Sequence, residues 1–348
     1  MPLEFEKVVR AAEFLSPLQG FAKTVHLLEY RKDPLTGFWC RINMERSKRT
    51  KYSIEKAEIS QFIEKSLKTC FFCPQNLEAS TPKFSFGPER IQVGEAKAFP
   101  NLFPFGEYHA VVTLCEVHFI FPSQFRPKHI ADGVRASLRY FREVLERDPE
   151  AKFCTINWNY MPPAAASVVH PHLQILADRK PTSYLNLLLE KSREYAERNG
   201  SNYWLDFIQE EKKRGERFLM ENESLSCMTS FSPQANNEVL IVFKNISSLL
   251  EMGDHEIEDF AQTASSILKA YGEMGVDSFN MATFSGPPGL EYYRLNVKFV
   301  SRPNLRYLYI ADAGFMERLH YEPVVETPPE QVAARIRSIL SGAESQAS

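Results

Sequence analysis

Two histidines one residue apart, in the run Ser167-Val168-Val169-His170-Pro171-His172-Leu173-Gln174, constrain this chain more than any other feature. Read as part of an extended strand from Val168 to Ala177, the run places His170, His172 and Gln174 on one face, because strand side chains alternate with a period of two. A fold that accepts it must bring both imidazoles to a single site. Far upstream stands a second pair, Cys70-Phe71-Phe72-Cys73, with the spacing by which one turn offers two sulfurs to a metal. Zinc in a closed site takes four thiolate and imidazole ligands, and Cys70, Cys73 and His170 supply three of them. For the fourth, His118, just beyond the Val111-Val112-Thr113-Leu114 strand, is preferred to His109. The alternative is a thioredoxin-like redox pair, which needs a helix N-terminus directly after its first cysteine. Pro74-Gln75-Asn76 predicts a turn there instead.

His172 is then left off the metal. A neutral imidazole attacks phosphorus competently near neutral pH, and a phosphorylated imidazole is a good leaving group. The pattern therefore points to two-step nucleotidyl transfer through a covalent intermediate on His172. Gln174, on the same strand face, can donate its amide to a non-bridging phosphate oxygen. Ser167 at the strand edge could donate to another, or be an ordinary hydroxyl bonded to backbone.

Bulk properties fit a soluble, cytoplasmic enzyme that engages neither nucleic acid nor membrane. The chain has 348 residues, 44% of them hydrophobic, and its 44 acidic and 41 basic side chains are interspersed for a net charge of -3. It begins with no secretory-type apolar stretch, contains no run long enough to span a bilayer, and its six cysteines do not form a disulfide framework. Along the chain, Glu29 to Arg49 reads strand, turn, strand. Strands are predicted at His109 to Leu114 and Phe153 to Tyr160, around a helix from His129 to Glu146 with apolar residues at helical spacing. Pro181 to Gly215 is helical and charged, broken at Asn199-Gly200, and suits an exposed connection. A second set comes after it: strands at Glu238 to Phe243 and Arg294 to Ser301, helices at His255 to Glu273 and Pro328 to Leu340. The result is an α+β fold in two similar halves, 1–180 and 181–348, which hints at duplication.

Together these segments resemble galactose-1-phosphate uridylyltransferase and its relatives in the histidine-triad superfamily. Four islands carry the likeness: Tyr30 to Arg49, Cys70 to Pro74, Thr113 to His118, and Asn159 to Gln174. The resemblance implies two histidine-triad-like halves, each an antiparallel sheet with packed helices, and a homodimer. It implies one zinc on Cys70, Cys73, His118 and His170, a nucleophile at His172 assisted by Gln174 and Ser167, and substrate contacts from Arg46, Arg49 and Asn159. Nucleotide sugar and sugar phosphate would be the substrates, of the UDP-hexose and galactose 1-phosphate type. A phosphorylase using inorganic phosphate on a nucleotide sugar or dinucleotide is the alternative, and a catalytically silent nucleotide-sugar binding protein a third. Some relatives carry a second metal on a His-x-His strand in the C-terminal half. Here the aligned run is Arg294-Leu295-Asn296-Val297-Lys298, so a single metal is expected. An Asn-Asp pair expected at the nucleotide pocket is also replaced, around Lys97 and Phe99.

Overall fold

The computed structural model describes residues 3–48, 59–306 and 311–342. Its centre is a ten-stranded antiparallel sheet. The first five strands are β4 (Ile91–Val93), β5 (Ala96–Pro100), β6 (Tyr108–Thr113), β7 (Phe153–Tyr160) and β8 (His172–Asp178), in the order β4-β5-β6-β8-β7. The other five are β9 (Phe218–Glu221), β10 (Leu225–Thr229), β11 (Val239–Phe243), β12 (Phe279–Phe284) and β13 (Asn296–Ser301), ordered β9-β10-β11-β13-β12 from the far edge. The two halves thus repeat one order and join where β7 pairs with β12, Asn159 opposite Asn280. Each half sends one long helix from its third strand to its fourth, α3 (Pro127–Arg147) and α6 (Asp254–Glu273).

These two helices pack against each other and cover one face of the sheet. Cys154, Ile156, Trp158 and Tyr160 of β7 point into that layer, where Trp158 meets Phe125 and Phe279 edge to face at centroid distances of 4.8 and 5.1 Å. The other face carries the polar residues of the same strands. Over the C-terminal half it is roofed by α4 (Ser183–Asn199) and α5 (Tyr203–Arg214), whose Leu188, Trp204 and Phe207 bury against Leu240 and Val242. The exposed connection expected over Pro181 to Gly215 is therefore corrected. Its charged residues other than the buried Glu211 line the outer side of two amphipathic helices, and the Asn199-Gly200 break is the αL cap that lets α4 turn back into α5.

A smaller sheet orders β1 (Lys7–Ser16), β2 (Ala22–Lys32), β3 (Trp39–Ile42) and β14 (Val324–Val325), so the N-terminal strands pair with a C-terminal one. It is tied to α7 (Pro329–Ser341) through charge. The buried Arg31 guanidinium donates to Glu330 at 2.8 and 2.9 Å, and the buried Arg217 donates to the same carboxylate at 2.8 Å. Burial alone would raise the Glu330 pKa, but the two guanidinium groups hold it down at about 2. A carboxylate with a depressed folded pKa stabilises the fold above its unfolded value, and that contribution is lost as pH falls. Stability should accordingly decline between about pH 4.5 and about 2 in the native chain. Glu330→Gln, which leaves Arg31 paired with Glu29 and Arg217 with Glu211, should lose about 2 kcal/mol at pH 7 and show a flatter acid slope in urea titrations. An unchanged slope would show that Glu330 carries no such linkage.

Candidate active site and metal centre

The site is built on the uncovered face of the N-terminal half. Cys70 and Cys73 lie on a knuckle between α1 (Ile59–Leu67) and α2 (Pro74–Ser80). Asn76 donates its side-chain amide to the Cys70 carbonyl at 2.8 Å, and the N–H groups of Asn76 and Leu77 donate to the Cys73 carbonyl at 2.9 and 3.0 Å. The turn expected at Pro74-Gln75-Asn76 is in fact the first turn of α2, because proline at the first helical position loses no bond the helix needs. The helix still begins after the second cysteine, not after the first.

Four ligand atoms converge here: Sγ of Cys70 and Cys73 and one ring nitrogen each of His118 and His170, all within 4.8 Å of one another and all buried. The Nδ1 atoms of His118 and His170 stand 3.4 and 3.6 Å from Cys73 Sγ, and His170 Nδ1 lies 3.9 Å from Cys70 Sγ. A tetrahedral zinc with bonds of about 2.3 Å to sulfur and 2.0–2.1 Å to nitrogen has sulfur–nitrogen edges of about 3.6 Å, so the group fits such an ion.

The outer ring nitrogens are also engaged. His170 Nε2–H donates to the Cys115 carbonyl at 2.8 Å. His118 Nε2–H donates to Ser66 Oγ at 2.9 Å, whose own proton goes to the Ile63 carbonyl. Both partners fix the tautomer that turns Nδ1 inward. Burial lowers the pKa of both rings, His170 to about 4, and so favours the neutral form that binds metals. Burial, with Cys70 alongside, pushes the Cys73 thiol up to about 12, so this pocket favours the Cys73 thiolate only if a cation accompanies it.

His172 opens β8. The predicted strand over Val168 to Ala177 is corrected at its start: residues 167–171 form a loop, and His170 is held by its own contacts and not by the β-ladder. His172 Nδ1–H donates to the His170 carbonyl at 2.7 Å, which leaves the Nε2 lone pair without a proton. Phe72 meets the ring edge to face at 5.3 Å, and burial lowers its pKa. The ring borders a cleft of about 500 Å³ whose walls include Phe71, Phe99, Phe103, Ser167 and Gln174. Phe99 therefore does reach the cleft, together with Asn101 and Leu102.

Other expected site residues sit at varied distances from it. Asn159, on β7, accepts from Asn280 Nδ2 at 2.7 Å, and Asn280 also donates to the Ala164 carbonyl at 2.9 Å. The pair thereby braces the loop that carries Ser167. Within that loop Ala165 adopts φ 65°, a left-handed conformation that glycine takes at less cost. Arg46 lies in a short 3-10 turn, Met44–Lys48, and does not border the cleft, while Arg49 falls outside the described residues. His109 is away from the metal group, bonded to Gln174. Its role as anything but a spare ligand was not legible from sequence, since its partner arrives from the neighbouring strand.

No family model matches the sequence. An uncharacterized protein of Archaeoglobus fulgidus is 29% identical over 346 residues, covering 97% of this chain and 99% of that one. Among solved structures, an ADP-glucose phosphorylase from Arabidopsis thaliana with bound ADP-glucose superposes with a TM-score of 0.70 at 18% identity, over 89% of this chain and 98% of the other. A GalT-like protein from the same plant gives 0.67 at 19%, over 88% and 98%. A uridylyltransferase gives 0.66 at 20%, over 90% and 98%. The chain shares its fold with these three proteins. No described helix is long and apolar enough to cross a membrane.

The metal centre makes a direct prediction. Cys73→Ala and His118→Ala should each lose bound zinc, measured by atomic emission, and about 2 kcal/mol or more of unfolding free energy, because a closed site contributes to folding. His109→Ala should keep its zinc. Full zinc occupancy in Cys73→Ala would rule out this ligand set.

Proposed function

We propose that this chain is a nucleotidyltransferase that moves a nucleoside monophosphate from a nucleotide sugar to a second phosphate through a covalent bond to His172. The observation that carries this proposal is the fixed tautomer. With Nδ1–H committed to the His170 carbonyl, Nε2 keeps the lone pair of a ring that borders the cleft, and no base is needed to activate it. Nε2 attacks the α-phosphorus, a P–N bond forms, and the P–O bond to the sugar 1-phosphate breaks. In the return step an acceptor phosphate oxygen attacks the same phosphorus and the imidazole leaves neutral. The positive charge that the ring carries in between lies beside the carbonyl that already accepts its N–H.

A zinc ion bound by Cys70, Cys73, His118 and His170 would supply rigidity, fixing the residue whose carbonyl orients the nucleophile. Gln174 and Ser167 border the same cleft and can donate to the non-bridging oxygens. The aromatic walls suit a nucleobase. Arg46 and Arg49 are assigned to substrate phosphates across a homodimer interface, and Asn159 to the loop that meets the phosphate. Residues 1–180 and 181–348 are assigned as two copies of one unit, of which the first carries the chemistry; the repeated strand order supports this.

The acceptor we assign is a sugar 1-phosphate. Orthophosphate is the other acceptor this chemistry serves, in keeping with the likeness in fold to an ADP-glucose phosphorylase. Brief incubation with UDP-glucose, UDP-galactose or ADP-glucose should add the mass of one nucleoside monophosphate to the native chain. His172→Ala should keep its zinc and gain nothing. A second sugar 1-phosphate as acceptor is expected to discharge the adduct as a new nucleotide sugar, with orthophosphate unable to do so; discharge by orthophosphate with release of a nucleoside diphosphate would identify a phosphorylase. Absence of any adduct would leave a binding protein.

A further inference from the structure

His109 takes no part in the metal group, yet it is 4% exposed and sits beside the cleft. On β6 it stands opposite Leu176 of β8, two residues along from the Val111–Gln174 pair, so its ring reaches Gln174 diagonally across the ladder. Its Nε2 is 3.1 Å from Gln174 Oε1, and its Nδ1 is 3.4 Å from the backbone nitrogen of Phe105.

The second contact fixes the first. A backbone N–H can only donate, so Nδ1 must be the acceptor and the ring proton must sit on Nε2. That N–H then donates to the carbonyl end of the Gln174 amide. Asn101 Nδ2, at 3.2 Å from the same Nε2, is a donor facing a donor; its own carbonyl oxygen is already occupied by the Phe103 N–H at 2.8 Å, so it does not compete as an acceptor. The 101–105 loop is in turn anchored by the Asn101 N–H, which donates to the His109 carbonyl at 3.0 Å, and the Phe105 ring lies 4.2 Å from the imidazole. Burial lowers the pKa of His109, in keeping with a neutral ring.

An amide whose carbonyl is held this way can turn only its NH2 toward other groups. Rotated by half a turn it would present an oxygen to a phosphoryl oxygen, and the contact would repel. We propose that His109 is a positioning residue for the transfer, fixing the Gln174 amide so that its NH2 faces the phosphoryl group on His172. This rests on the assignment of His172 as nucleophile.

The test is the single-turnover rate of adduct formation on His172, tracked by mass spectrometry with whichever of ADP-glucose, UDP-glucose and UDP-galactose labels the native chain. His109→Ala should slow that rate about tenfold or more with zinc content retained and nucleotide-sugar affinity little altered, because the donor acts mainly on charge that develops in the transition state. His109→Gln, whose amide nitrogen reaches about as far as Nε2, should recover most of the rate. On a Gln174→Ala background, His109→Ala should add no further loss, since both substitutions remove one and the same contribution. A native rate in His109→Ala, or losses that multiply in the double variant, would overturn the positioning role while leaving the nucleophile intact. Failure of the native chain to form any adduct would remove both.

Discussion

His170 is the residue on which the geometry of the site depends, because it faces three ways at once. Its Nδ1 points to the two sulfurs and His118, its Nε2–H holds the Cys115 carbonyl, and its own carbonyl receives the proton of His172. A shift of the Cys–His group would therefore be felt at the His172 ring through the His170 carbonyl. The energetic logic is ordinary: a buried imidazole is costly unless each nitrogen has a partner, and here every partner also carries positional information. The loop at residues 167–171 owes its shape to these contacts, which is why His170 stands outside the β-ladder and still shares a site with His172.

The C-terminal half of the sheet, with the same strand order, shows that arrangement without this requirement. Asn296 opens β13 as His172 opens β8, and Lys298 comes two residues after it as Gln174 does after His172. Asn296 donates its amide to the Tyr293 hydroxyl at 2.9 Å, and Lys298 pairs with the buried Glu238 at 3.0 Å, beneath α4 and α5. Where the N-terminal half leaves a cleft, the C-terminal half is filled with aromatic side chains and a compensated ion pair. A buried charge pair of this kind contributes little net stability against an apolar replacement, but losing either partner would be costly.

How far the fold could be read from sequence depended on whether periodicity or partnership decided each element. The helix α3 and strand β7 were legible because Ile130, Val134, Leu138 and Phe141 recur at helical spacing and Cys154 to Tyr160 alternate. The convergence of Cys70, Cys73, His118 and His170 was legible because thiol and imidazole have few other reasons to appear at those spacings. By contrast, the burial of α4 and α5 was masked by their charged outer residues, and the start of β8 by β-branched Val168 and Val169, whose strand preference gives way to the contacts of His170. The helical start after Cys73 was hidden by proline, which suits a turn and a first helical position equally well.

The alignment of Gln174 shows most clearly what a linear chain conceals. Nothing adjacent in sequence restrains its amide; the restraint comes from His109 across the ladder, and His109 is itself fixed by the N–H of Phe105. A hydrogen-bond donor contributes to catalysis only to the extent that it need not reorient when charge develops, because reorientation would consume the stabilisation it provides. Water could hold such an amide, but loosely. A neutral, buried imidazole with one nitrogen committed to backbone holds it in a single sense, the sense that the proposed transfer requires.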